Sequence, residues 1–268
     1  MNRIDQTFRD LAAQNRKALI AFLTAGDPDY AASLDILKTA AASGADVLEL
    51  GVPFSDPTAD GPTIQEASQR ALRAGMSFSK SLQLAADLRR STETPIVLFS
   101  YYNPIFKYGL ERTAREAAEA GVDGFLVVDL PPEEAGPFAD ALAPTGIHII
   151  RLAAPTTTDD RLRILTDGAG GFLYLISRMG VTGTGGLDYD EIRVRAEHVK
   201  ARCPLPVCLG FGVSTGEDTR ALGAFSDGVI VGSALVKIVA QGGDVCSNLK
   251  ARLAELREGL DAAAPVQA

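Results

Sequence analysis

Eight short apolar runs, each followed by a stretch of helical periodicity, constrain this chain of 268 residues more than anything else in it. The first run is 18–24, ended by Gly26-Asp27-Pro28, and the second opens as Asp46-Val47-Leu48-Glu49-Leu50. The others are 95–100, 124–128, 148–152, 172–176, 206–210 and 228–231. Between them the apolar spacing predicts helices over 30–43, 63–74, 79–91, 110–120, 132–143, 159–166, 189–202 and 215–222, with a final pair beginning near Ala234 and Asp244. The runs are continuously apolar, as parallel strands covered on both faces must be. An open doubly wound sheet has similar strands but no reason to total eight, so the count predicts a closed (β/α)8 TIM barrel, an α/β fold, as a single domain over 1–268. Ahead of the first strand, Ile4, Phe8, Leu11 and Ala12 lie at helical spacing within 4–15. This extra N-terminal helix has an apolar face suited to capping the barrel's bottom, and the last helix is an extra C-terminal one. Residues 264–268 read as a frayed tail.

Charge and cysteine content exclude several classes of function. A net charge of −8 argues against nucleic acid or an anionic membrane surface as main partner, though a local site can still take a small anion. No apolar run approaches the roughly 20 residues of a membrane span. The N-terminus, Met1-Asn2-Arg3-Ile4-Asp5-Gln6, lacks the apolar region of a signal peptide, so a cytoplasmic protein is expected. Cys203, Cys208 and Cys246 form no CxxC pair and are expected to be small buried apolar residues. His148 lies within a strand and His198 within a charged helix, so no metal is expected.

Barrel active sites lie at the carboxyl ends of the strands, which directs attention to the residues just after each apolar run. Glu49 interrupts the second strand, where an unpaired charge is costly. It shares a face with Val47, so if Val47 points into the barrel, Glu49 does too, at the upper rim. Apolar surroundings there would raise its pKa toward the working pH, as a group that both gives and takes a proton requires. The loop that follows carries Pro53, Pro57 and Pro62 with Gly51 and Gly61, a backbone suited to holding Asp60 in one place. The bland alternative makes Glu49 a salt-bridged rim residue and Asp60 a turn former. Asp27 and Asp56, each before a proline, read as structural, while Asp129 is open to either role. After strand six, residues 177–186 form a Gly-rich loop that either closes over a ligand or is an ordinary surface loop. Gly210-Phe211-Gly212 and Gly232-Ser233-Ala234, after the last two strands and ahead of helices, fit a phosphate site of backbone N–H groups.

The segment Glu49-Leu50-Gly51-Val52-Pro53-Phe54-Ser55-Asp56-Pro57, continuing through Ala59-Asp60-Gly61-Pro62-Thr63-Ile64-Gln65, resembles the signature of the tryptophan synthase alpha subunit family. The likeness extends to Phe22-Leu23-Thr24-Ala25-Gly26-Asp27-Pro28, Tyr101-Tyr102-Asn103-Pro104, Asp129-Leu130-Pro131, Gly180-Val181-Thr182-Gly183 and the two glycine turns. Thr58 stands where an apolar residue, commonly Leu, is usual, and Val128 where Pro is common. Neither departure is expected to touch the chemistry. The resemblance implies cofactor-free and metal-free cleavage of indole-3-glycerol phosphate, with Glu49 as acid and base and Asp60 accepting a hydrogen bond from indole N1–H. It implies an indole pocket of Phe22, Tyr101, Tyr174, Thr182 and Phe211, and phosphate contacts at Gly183, Gly212, Gly232 and Ser233. Thr182 would link loop closure to Asp60. The implied partner is a tryptophan synthase beta subunit in an alpha2beta2 heterotetramer, met by residues 53–58. A stand-alone lyase releasing free indole, and a phosphate-sugar-binding barrel without catalysis, are the competing functions.

Overall fold

The computed structural model describes residues 1–177, 188–210 and 212–263. Strands β1 (Ala18–Thr24), β2 (Val47–Gly51), β3 (Ile96–Ser100), β4 (Gly124–Val127), β5 (His148–Ala153), β6 (Leu173–Ile176), β7 (Val207–Gly210) and β8 (Gly228–Val231) run parallel and pair in chain order. The barrel closes where β8 pairs with β1, Ala18 opposite Gly228 and Ala21 opposite Val231. Helices α1 (Arg3–Ala13), α2 (Tyr30–Ala42), α3 (Pro62–Arg73), α4 (Phe78–Arg89), α5 (Tyr102–Tyr108) and α6 (Leu110–Glu119) belong to the first half. The second half carries α7 (Gly136–Leu142), α8 (Asp159–Thr166), α9 (Tyr189–Lys200), α10 (Gly216–Gly223), α11 (Ser233–Gln241) and α12 (Val245–Asp261). Among the described residues no helix is long and apolar enough to cross a membrane.

Strand pleat divides the apolar residues into two cores. Ile20, Val47, Val97, Leu126, Ile150, Phe172, Cys208 and Ile230 fill the barrel interior. Their neighbours in sequence, such as Leu19, Leu48, Leu98 and Phe125, point outward and pack under the helices. As its spacing predicts, α1 plugs the bottom: Ile4, Phe8 and Leu11 join the interior cluster, and the Phe8 ring lies 5.7 Å from that of Phe172. The plug is held by polar contacts at its rim. Asn2 accepts the Ile4 N–H at 2.8 Å and donates to the Asp123 and Gly146 carbonyls, while Asp5 meets His148 Nε2 at 2.9 Å. Cys208 is fully buried, but Cys203 and Cys246 are only half-buried against the outer core.

Two elements differ from the expected pattern. Residues 102–108, where no helix is expected, form α5, whose Pro104 sits in the first turn where no intrahelical N–H bond is needed. The Asp129 carboxylate accepts the Tyr102 N–H there at 2.7 Å. The helix expected over 132–143 divides into a 3-10 turn at Pro132–Glu134 and then α7, because Pro137 has no N–H to continue the ladder across the break.

The contact between plug and barrel carries a measurable share of stability. Phe172 is 0% exposed, and Phe172→Ala is expected to lower the unfolding free energy by about 3–5 kcal/mol in urea titrations. A loss under about 1 kcal/mol would mean that the α1 seal does not depend on this ring.

Candidate active site

Glu49 sits one pleat above Val47 and points into the mouth of the barrel. It is 1% exposed, and neither carboxylate oxygen has a hydrogen-bond partner among the described residues. Burial alone pushes its carboxyl up to about 8. At neutral pH the side chain is therefore mainly an uncharged acid, the inexpensive form for an unpaired group out of water.

The cavity it faces has a volume of about 200 Å³ and is walled by Phe22, Phe99, Leu152, Tyr174, Ile176 and Ile230. Phe22 lies opposite Glu49 in the β1–β2 register, with its ring edge-on to Phe99 at 5.2 Å. Two glycines make room for these aromatics. A Cβ on Gly51 would come within 2.5 Å of the Phe22 ring, and one on Gly210 within 2.3 Å of the Tyr174 hydroxyl. Burial first, and then the neighbouring Glu49, push the Tyr174 phenol well above its ordinary value, so it stays neutral.

Asp60 reaches the same cavity from the loop after β2. Burial pushes its carboxyl up to about 6, opposed by a hydrogen bond from the Tyr101 hydroxyl. The loop is well tied. The Ala59 N–H donates to the Tyr101 hydroxyl at 2.9 Å, Gln65 Nε2 donates to the Asp60 carbonyl at 2.8 Å, and the Asp60 N–H reaches the Pro57 carbonyl at 3.1 Å. Pro62 then starts α3 at its first position, where a missing N–H costs nothing. Further along α3, Arg70 makes two 2.8 Å bonds to the buried carboxylate of Asp27, which explains that aspartate structurally.

The opposite rim is made of small residues. Gly212, at φ +81°, and Val213 follow β7, and Gly232 and Ser233 form the uncapped start of α11. Glu49, Asp60, Phe22, Tyr174, Gly212, Gly232 and Ser233 thus all line one cavity. Thr182, Gly183 and Phe211, and all of the 177–186 loop except Ser177, lie outside the described residues. Tyr101 is not among the described residues that line the cavity: its hydroxyl accepts the Ala59 N–H and its ring packs on Phe54. Val128 lines the cavity, and its N–H extends the β3–β4 pairing to the Ser100 carbonyl at 3.0 Å, a bond proline cannot make. Asp129 is absent from the lining and serves α5 instead. Phe99, Leu152 and Ile176 were missed, although each stands two residues beyond an inward-facing residue of its strand and period two would have identified them.

A closed eight-stranded barrel with one buried and one half-buried carboxylate in an apolar cavity at its carboxyl end, facing a glycine-rich rim, has the layout of a (β/α)8-barrel enzyme. Residues 8–265 match the family model for the tryptophan synthase alpha chain. The chain is 50% identical to the tryptophan synthase alpha chain of Desulfatibacillum aliphaticivorans, over 90% of this chain and 91% of that one. It is 48% identical to the corresponding chain of Burkholderia cenocepacia (strain HI2424), over 98% of each. Tryptophan synthase subunit alpha from Legionella pneumophila str. Paris superposes with a TM-score of 0.91 at 38% identity, covering 97% of this chain and 99% of that one. An aminoacrylate-bound tryptophan synthase from M. tuberculosis has a chain matching with a TM-score of 0.88 at 34% identity, over 97% of this chain and all of its own. The chain belongs to the tryptophan synthase alpha chain family.

Burial of Glu49 has a consequence for stability. A carboxyl raised from 4.5 to about 8 in the folded state stabilises the fold fully below pH 4.5, and that contribution is lost as pH rises through 8. Glu49→Gln should therefore gain stability relative to the parent between pH 5 and pH 9, by an amount on the order of a few kcal/mol. Thermal unfolding of both proteins at the two pH values checks this, and an unchanged gap contradicts it.

Proposed function

We propose that this chain is the alpha component of a tryptophan synthase, cleaving indole-3-glycerol phosphate to indole and glyceraldehyde 3-phosphate as a single barrel domain. The observation that carries this proposal is the pairing, in one apolar cavity, of an acid with no hydrogen-bond partner among the described residues and a second carboxylate on a tied loop. The retro-aldol step needs a proton delivered to indole C3, a proton removed from the side-chain hydroxyl, and a counter-charge for the ring in between. Glu49, neutral at rest, gives its proton to C3. The resulting carboxylate then takes the hydroxyl proton as the C3–side-chain bond breaks and its electron pair returns to the ring. The acid is restored within one turnover, with no cofactor in the balance.

Asp60, with its lower pKa, supplies the counter-charge by accepting the ring N1–H, a preorganised electrostatic role. Phe22 and Tyr174, with Phe99, Leu152 and Ile176, form the indole walls, joined in this proposal by Thr182 and Phe211. Gly212, Gly232 and Ser233, with Gly183, hold the phosphate on backbone N–H groups at the α11 terminus. The product passes to a beta subunit in an alpha2beta2 assembly. Residues 53–58, with Thr58 exposed, and the 63%-exposed Phe106 on α5 give that subunit a face beside Asp60.

Indole release measured with and without the cognate beta subunit tests the assignment: a large acceleration is expected, and full activity without the partner would favour a stand-alone lyase. Asp60 must be charged and Glu49 protonated in the free enzyme. The kcat/KM profile should therefore be bell-shaped, falling below a limb near 6 and above a limb near 8. Glu49→Gln should abolish indole release with substrate binding largely kept, and Asp60→Asn should cost about 100-fold or more in rate. Near-normal turnover in either variant removes that residue from the mechanism.

A further inference from the structure

We propose that Tyr189 and Asp218 are positioning residues for the phosphate rim: the tyrosine hydroxyl fixes the carboxylate, and the carboxylate fixes the backbone turn that presents Gly212 and Val213 to the cavity. This rests on the reading of that rim as the phosphate site. The carboxylate is divided between two tasks. Asp218 Oδ1 accepts the Tyr189 hydroxyl at 2.7 Å, while Oδ2 accepts the N–H groups of Ser214 and Thr215 at 2.8 Å each and the Ser214 hydroxyl at 3.2 Å.

The two partners are anchored in different elements. Tyr189 is the first residue of α9, half-buried against the outer core, and Asp188 caps that helix by accepting the Glu191 N–H at 3.1 Å. Asp218 is the third residue of α10, where it forms a capping box with Thr215. The described part of the connection between β7 and α10 is irregular and begins at Gly212, with φ +81°. The N–H groups of Ser214 and Thr215 are spent on Asp218, which leaves the two residues that line the cavity, Gly212 and Val213, to face a ligand. From its other side α12 holds the same turn: Arg252 Nη1 donates to the Ser214 carbonyl at 3.2 Å, and the Gly216 N–H donates to Glu255 at 3.1 Å. A carboxylate bonded to the backbone through one oxygen can still swing about its Cβ–Cγ bond. A phenol held by α9 on the second oxygen removes that freedom. Neither Tyr189 nor Asp218 lines the cavity, so both act on bound substrate through the turn.

The test is Tyr189→Phe in the full complex with the cognate beta subunit, since this variant keeps the ring against the outer core. KM for indole-3-glycerol phosphate should rise about threefold to tenfold with kcat within about twofold, because only the hold on the phosphate is loosened. In direct titrations the Kd of glycerol 3-phosphate should rise by the same factor while that of indole stays in place. On an Asp218→Ala background the same substitution should cost little more, because its effect passes through the missing carboxylate. An unmoved KM, an equal weakening of indole, or an undiminished loss on the Asp218→Ala background overturns the proposal. Hydrogen exchange at the Ser214 and Thr215 amides of the resting protein gives a readout independent of any ligand. Faster exchange in Tyr189→Phe supports the proposal, and an unchanged rate overturns it. A parent protein that binds glycerol 3-phosphate no more tightly than glycerol fails the phosphate assignment alone.

Discussion

An uncharged carboxyl kept out of water without a partner is the constraint on which the rest of this barrel depends. Glu49 has no ion pair or hydrogen bond among the described residues, so nothing local compensates its burial. Its protonation is set by what surrounds it: Phe22 across the strand pair, Tyr174 beside it and the interior layer of Val47, Val97 and Ile20 below. That layer is closed from beneath by apolar packing. Phe8 and Phe172 close the bottom, and Asn2 and Asp5 fasten the plug to loop carbonyls and to His148 at the rim. The N-terminal helix, far from the cavity, thus completes the apolar floor beneath the acid.

Asp60 presents the opposite case. Its loop is tied to Tyr101 through the Ala59 N–H and to Gln65 through its own carbonyl, and it sits nearer the surface. Burial raises both carboxyls, but only Asp60 has a hydrogen bond to offset it. The two groups therefore sit on either side of neutrality and are ready for different tasks, one as an acid and the other as an anion. The separation arises at two adjacent strand ends: β2 carries Glu49 and its loop carries Asp60, while Tyr101, just after β3, ties that loop through the Ala59 N–H.

Much of this is legible in the sequence where a repeating pattern carries it. Eight apolar runs define the barrel, helical spacing at Ile4, Phe8 and Leu11 defines the plug, and the odd carboxylate in strand two identifies Glu49. The direction in which a side chain leaves a strand end is harder to read. Tyr101 is placed in the pocket by the family resemblance and not by the strand pattern. Inward-facing residues of β3 are Val97 and Phe99, and position 101 is already in the turn, where period two no longer applies. Val128 enters the sequence reading only as a departure from the family pattern, whereas its N–H extends the sheet by one residue and its side chain lines the cavity. Helix α5 was missed because its start is capped by Asp129, 27 residues away, which no local signal announces.

The glycines at strand ends show why the cavity is apolar and yet open. Gly51 ends β2 and Gly210 ends β7, and each is bare where a neighbouring aromatic ring lies over it. Were either position occupied, Phe22 or Tyr174 would have to turn upward into the space that a ligand needs. The small residues thus let the rings lie flat against the barrel wall, so that burial of Glu49 and access to it do not compete. Aromatic surface keeps the acid protonated from the sides, while the mouth between Asp60 and the Gly212–Ser233 rim stays open to a ligand.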